Sequence, residues 1–223
     1  MVMKNLAAAA AIATVFAAPL SAATTIYTDR ASFNNAVLQS DFVDFNDVPS
    51  QVNFRTSPFD AGPFTLQGAG TSQGTRNFID IQPLQFNTFN VDGTTVANLL
   101  ANGNSSVTFT FDNPITAFGA DFGSINDEVL RTQLNTGSDI VTPVVTPVSA
   151  VQFFGFTSDT AFTSLVFESA APNGDGFSVD NVSIGAAVPE PATWAMMLLG
   201  LFGLGGLMRR RGKSDLSAGL ATA

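Results

Sequence analysis

The sequence predicts an all-β fold: a jelly-roll-like β-sandwich with one short N-terminal helix, flanked by a signal peptide and a C-terminal transmembrane helix. Three observations carry this expectation. Apolar and polar residues alternate with a period of two through most of residues 24–188, as in Ser106-Val107-Thr108-Phe109-Thr110-Phe111. Gly, Pro, Asn and Asp interrupt the alternation roughly every ten residues, the spacing of short strands joined by tight turns. The chain has 21 Phe against one Tyr and one Trp, a supply of bulky apolar side chains suited to the space between two packed sheets.

The elements follow in order. Asp29 can cap a helix over Arg30–Leu38, with Phe33, Ala36 and Val37 on one face. The period then changes to two, and Phe42-Val43-Asp44-Phe45 reads as the first strand. Further strands are expected at Phe64–Gln67, Phe78–Ile81, Thr94–Leu99, Ser106–Phe111 and Ile115–Phe122. The remainder fall at Glu128–Leu134, Asp139–Val144, Val151–Phe156, Ser164–Glu168 and Phe177–Ile184. The apolar phase of the last strand breaks: Phe177 and Val179 share one face, Val182 and Ile184 the other. A β-bulge near Asp180 and Asn181 accounts for the shift and re-aims the carboxylate. Thr142-Pro143-Val144-Val145-Thr146-Pro147 reads as an extended loop or edge strand. No repeat of 20–50 residues occurs, which argues against a solenoid or propeller.

Charge narrows the function classes. Residues 24–188 hold 16 acids against four arginines (Arg30, Arg55, Arg76, Arg131) and no lysine, a net of −12. Such a surface repels nucleic acid and anionic lipid, so nucleic acid is not an expected partner. The chain has no cysteine and no histidine. The usual base of serine and cysteine hydrolases and the usual zinc ligand are therefore missing, and catalysis would fall to carboxylates alone.

Both chain ends read as targeting segments. Residues 1–23 combine Lys4, an apolar stretch Leu6–Ala18 and the small residues Ser21-Ala22-Ala23, the pattern of a secretory signal peptide cut after Ala23. At the other end, Pro189 and Pro191 hold Glu190 extended. From Trp194 to Met208 there are 15 residues without a charge, about 22 Å of helix at about 1.5 Å per residue. With Ala192 and Thr193 added and Arg209, Arg210 and Arg211 snorkelling, a span over 192–208 approaches membrane length. The arginines place residues 212–223 in the cytoplasm by the positive-inside rule. Residues 24–186 are then the exported domain.

The residues Pro189, Glu190, Pro191, Trp194 and Ala195, the Gly/Leu-rich run and Arg209–Arg211 resemble the PEP-CTERM sorting signal in its PEPxxWA form, over residues 187–211. That family occurs in Gram-negative bacteria that produce exopolysaccharide. The resemblance implies an inner-membrane-anchored precursor, cut near Pro-Glu-Pro by an exosortase, a membrane-embedded cysteine transpeptidase, and then a cell-surface or extracellular product. The same tail is also labelled an ice-binding-protein C-terminal domain, a label for the tail that does not imply ice binding. The extension Gly212–Ala223 departs from the family, whose tails usually stop sooner after the arginines.

Two acidic clusters fall at strand ends, Asp41/Asp44/Asn46/Asp47 and the run from Asn173 to Asn181. The early helix, Val43-Asp44-Phe45-Asn46 and the closing Gly176-Phe177-Ser178-Val179-Asp180-Asn181-Val182-Ser183 resemble lectin-like and carbohydrate-binding-module-like jelly rolls. In such sandwiches the first and last strands lie side by side and a Ca²⁺ can bridge them through oxygen ligands. The resemblance makes Asp44, Asn46 and Asp180 the candidate Ca²⁺ ligands; turn-capping, solvated acids are the alternative. Residues 173–175 are no EF-hand, since Phe177 stands at ligand position five. The domain lacks tryptophan and has only Tyr27, which removes the usual sugar-stacking platforms. The expected function is a non-enzymatic surface or matrix protein associated with exopolysaccharide or biofilm. A lectin-like glycan-binding module is the alternative, followed by a carboxylate-only glycan hydrolase using Asp121, Asp127 or Glu128.

Overall fold

The computed structural model describes residues 23–71, 73–81, 90–125, 132–143, 150–169, 174–188 and 197–203. Strand β1 (Thr24–Tyr27) precedes α1 (Arg30–Ala36). The Asp29 carboxylate accepts from the Ser32 amide at 2.7 Å and caps the helix as expected. The helix stops two residues short of Leu38. Val37 turns extended and opens β2 (Val37–Val43), where Val37 and Leu38 pair with Ala187 and Ala186. Sheet hydrogen bonds here outweigh one more helical turn, and β-branched Val37 favours that outcome. β2 also ends early, because Phe45 adopts φ 58° and turns the chain after Asp44.

Two short strands, β3 (Val52–Asn53) and β4 (Phe59–Asp60), are too brief to show an alternation and are not foreseen. β5 (Phe64–Gly70), β6 (Phe78–Asp80) and β7 (Val96–Ala101) fall on expected runs. β8 (Ser105–Gly123) unites two expected strands, and β11 (Val151–Ser169) unites two more. Between them lie β9 (Thr132–Asn135) and β10 (Ile140–Val141); β12 (Asp175–Ala187) closes the domain. The expected start of a strand at Glu128 lies outside the described residues.

All pairings are antiparallel, within one twelve-stranded sheet rather than two separate ones. Its central order is β10-β9-β11-β8-β12-β7-β6-β3, with β1 on β11, β2 on β12, β5 on β8 and β4 on β5. The first half of β8 pairs with β5 and with Ser164–Phe167 of β11. Its second half pairs with Val151–Thr157 of β11 and with β12. Register shifts in β11 between Thr157, Phe162 and Ser164 mark the corner, where both long strands bend. The bend brings Phe109 and Phe118 of the same strand to 5.8 Å between ring centroids, edge to face. Phe167, Phe122 and Phe177 continue that stack in steps of 5.1 to 6.3 Å. All five rings are fully buried, so the phenylalanine excess is the core itself.

A second, smaller core forms on the outer face of the sheet. Phe33 of α1 is fully buried against Val37, Ala117, Phe153 and half-buried Tyr27. It sits over Gly119 and Gly155, which face each other across β8 and β11. A Cβ on Gly155 would lie 2.8 Å from a Phe33 ring atom and 3.0 Å from Phe153. Bare backbone is what lets the helix approach.

Residues 197–203 are helical and exposed. Among the described residues no helix is long and apolar enough to cross a membrane. The rest of the expected 192–208 span lies outside the described residues, as do residues 1–22 and the tail 212–223.

The glycine floor predicts that Gly155→Ala costs about 1–3 kcal/mol by overpacking. The cost should shrink in a Phe33→Ala background, where the main obstruction is gone. A urea-unfolding double-mutant cycle measures this; additive penalties would show that Phe33 does not set the constraint.

Candidate functional site

The last strand must change phase, and the site is built where it does so. Phe177, Val179, Val182 and Ile184 all reach the main core. An unbroken strand cannot direct both pairs inward, since 179 and 182 are three residues apart. The β12–β8 register accordingly slips between Asp180 and Ser183, and Asn181 takes φ 52°. Asparagine tolerates this left-handed conformation better than most residues. The expected bulge is therefore present at the expected residues.

The bulge buries Asp180 completely and turns Asn181 toward its neighbours. One oxygen of Asp180 accepts from the Asn181 amide at 2.7 Å; the other faces the Thr94 hydroxyl at 3.5 Å. The Asn181 side-chain amide donates to Asp121 at 3.1 Å and to Asp92 at 3.4 Å. Asp92 also accepts from the Thr94 amide at 3.0 Å and from its hydroxyl. Arg30 closes the assembly from α1. Its guanidinium pairs with Asp121 at 2.9 Å, donates to the Asn181 carbonyl at 2.9 Å and to the Ser183 hydroxyl at 3.1 Å. It also lies over the Phe153 ring, 4.6 Å from the centroid.

Electrostatics splits the carboxylates. Burial pushes the Asp180 carboxyl up to about 8; the Asn181 amide opposes this, while the charges of Asp92, Asp44 and Asp121 reinforce it. For Asp92, burial also pulls upward, but donation from Thr94 and Asn181 prevails and holds its carboxyl below the usual range. Asp180 and Asp92 are thus driven in opposite directions within one cluster.

β2 lies beside β12, as the jelly-roll resemblance implied, with Val43 opposite Val182. Asp44 consequently comes within electrostatic reach of Asp180. The Asn46 side-chain oxygen accepts from the Thr95 amide at 3.2 Å, and its backbone amide donates to Asp44 at 3.1 Å. Among the described residues no group of three or more Asp, Glu, His or Cys side chains is arranged to hold a metal ion. Asp180 thus lies within electrostatic reach of Asp44, Asp92 and Asp121, with Arg30 paired to Asp121. Asp92, Thr94 and Arg30 were not foreseen as members of the cluster; only the Asn-Val-Asp-Gly turn at 90–93 hinted that Asp92 stands on a loop. For the hydrolase alternative, Asp121 is committed to Arg30, and Asp127 and Glu128 lie outside the described residues.

Beyond the bulge, β12 runs to Ala187, whose amide donates to the Thr116 hydroxyl at 2.8 Å. Val188 then donates to the Ala36 carbonyl at 2.8 Å. Pro189, Glu190, Pro191, Trp194, Ala195, Arg209, Arg210 and Arg211 lie outside the described residues. The folded domain thus holds the chain to within one residue of Pro189.

Residues 187–211 match the family model of the PEP-CTERM protein-sorting motif. No curated protein matches the chain. The chain therefore carries the address of an exported protein that is anchored in the membrane and directed to exosortase-type processing machinery.

The buried carboxyl yields a pH prediction. The folded-state value near 8 lies above the ordinary carboxyl value of 3.8, so the folded protein holds a proton that the unfolded chain releases. Its stabilising contribution is complete below about 3.8 and is lost as pH rises through about 8, with a slope of up to about 1.4 kcal/mol per pH unit. Asp180→Asn should flatten this loss in urea titrations between pH 4 and 9; parallel curves for the two proteins would place the proton elsewhere. A Ca²⁺ held by Asp44, Asn46 and Asp180 should raise the wild-type melting temperature, and an unchanged melting temperature would rule that ligand set out. A rise that vanishes in Asp180→Asn would show that the acids do close around the ion.

Proposed function

We propose that this protein is a non-enzymatic component of the cell surface or extracellular matrix, associated with exopolysaccharide or biofilm. The observation that carries the reading is a coincidence of boundaries. The sorting motif begins at residue 187, where the last strand ends. The last described strand and the address overlap at residue 187 alone, and a cut near Pro189 leaves every described strand of the domain intact. In this reading residues 1–23 are a cleaved signal peptide, and β1 opens at Thr24, the first residue of the mature chain. Residues 192–208 are a temporary transmembrane anchor, and Arg209–Arg211 hold its end in the cytoplasm.

Composition supports a non-catalytic role. Histidine and cysteine are absent, and the carboxyl that departs furthest from ordinary behaviour, Asp180, is fully buried and out of reach of a substrate. A strongly anionic domain also suits a hydrated matrix, where like charge keeps molecules soluble and apart.

Replacing Pro189-Glu190-Pro191 by alanines should leave full-length protein in the inner-membrane fraction. Mass spectrometry of the surface fraction from the parent strain should find a mature C-terminus near Pro189. Trimming and release of the alanine variant at the parental rate would defeat the sorting reading.

A further inference from the structure

The sheet leaves one seam of its core open. β2 pairs only with β12, and β4 pairs only with β5, so each has an unpaired backbone edge among the described residues. These edges border a cavity of about 500 Å³, with Asp41–Phe45 on one side and Phe59–Ala61 on the other. Its floor is the main core itself. Val43, Val48, Val52, Phe59 and Ala61 are the partly buried apolar residues packed against that core, and all five line the cavity. The volume is that of a ligand site rather than a surface dimple.

The rim is acidic without compensation. Asp41, Asp44, Asp47 and Asp60 line the cavity, and no Arg or Lys does. The described arginines are engaged elsewhere: Arg30 with Asp121, Arg55 with the Gly74 carbonyl, Arg76 with Asn98. Asp44 and Asp60 use one oxygen each to hold the following turn, from Asn46 and Gly62, and keep the other. Phe42 of β2 is half exposed beside them.

We propose that this seam is a binding site for an extended basic peptide segment, one that alternates apolar side chains with lysine or arginine. Such a segment adds as a strand to the free edge of β2, sets its apolar side chains on the half-open core, and lays its cations against the acidic rim. A strand uses all three features at once; a small organic cation uses only the rim and the floor. The proposed partner is a separate chain, and Arg30, Arg55 and Arg76 of the domain are already engaged elsewhere. The inference stands apart from the sorting reading, and neither depends on the other.

The test uses the full chain in non-ionic detergent and a fluorescein-labelled decapeptide of alternating valine and lysine, read by anisotropy. Saturable binding is expected, with none for the valine–glutamate counterpart. Asp41→Asn/Asp47→Asn should weaken it roughly fivefold or more, as for the loss of two partly screened ion pairs. Asp159→Asn/Glu168→Gln, an equal change of charge outside the seam, should leave it unaltered. N-methylation of alternate residues should abolish binding in one of its two phases, since only one set of amides faces β2. Equal binding by both acid-depleted variants, or by both methylated peptides, overturns the proposal. Displacement by hexylammonium at the peptide's own affinity overturns it as well, by showing that the cavity takes an amine alone.

Discussion

The closing strand must serve two neighbours on one edge, and the rest of the domain is arranged around that demand. β12 pairs with β7 over Asp175–Val179 and with β2 over Val182–Ala187, while β8 runs along its other side. The residues between the two partners absorb the change. Asn181 in a left-handed conformation lets Phe177 and Val179 point into the core and lets Val182 and Ile184 do the same beyond the slip. Without the bulge one pair of large apolar side chains would face outward, at a cost of several kcal/mol. The same slip buries Asp180, presents the Asn181 carbonyl to Arg30 and thereby seats α1.

Charge has a correspondingly uneven distribution. The domain carries a net of −12, yet among the described residues one salt bridge is present, Arg30 with Asp121. Arg30 stabilises less by neutralising the surface than by joining helix, bulge and β8 through four separate contacts. Where a carboxyl is buried without a cation, as at Asp180, it keeps its proton; where hydrogen-bond donors reach it, as at Asp92, it stays ionised. The acids Asp41, Asp44, Asp47 and Asp60 line the β2–β4 seam, and no arginine or lysine lines it with them.

Much of this was legible in the residues. Asp29 announced its cap, the Phe177–Ile184 phase break announced the bulge, and Val107/Phe109/Phe111 announced an inward face that is buried as read. The tail announced itself most clearly of all, because a sorting signal is recognised as linear sequence and must be readable in that form. The misreadings have local causes. Asp112-Asn113-Pro114 looks like a break between two strands, and it is a corner inside one, since β8 keeps its pairing with β11 on both sides. β3 and β4 are two residues each, below the length at which alternation can be seen.

The candidate site divides along the same line. Sequence alone determined the all-β class, the acidic character, the position of the bulge and the address at residues 187–211, because each depends on neighbours along the chain. Tertiary structure alone decided which acids meet. Asp44, Asp92, Asp121 and Asp180 are drawn from four distant segments and brought together by strand pairing, and Asn46 is tied to the Thr94–Thr95 segment by a hydrogen bond from the Thr95 amide. Whether a carboxyl is charged depends on the water and donors around it, and those are set by the packing of segments that the linear sequence keeps far apart.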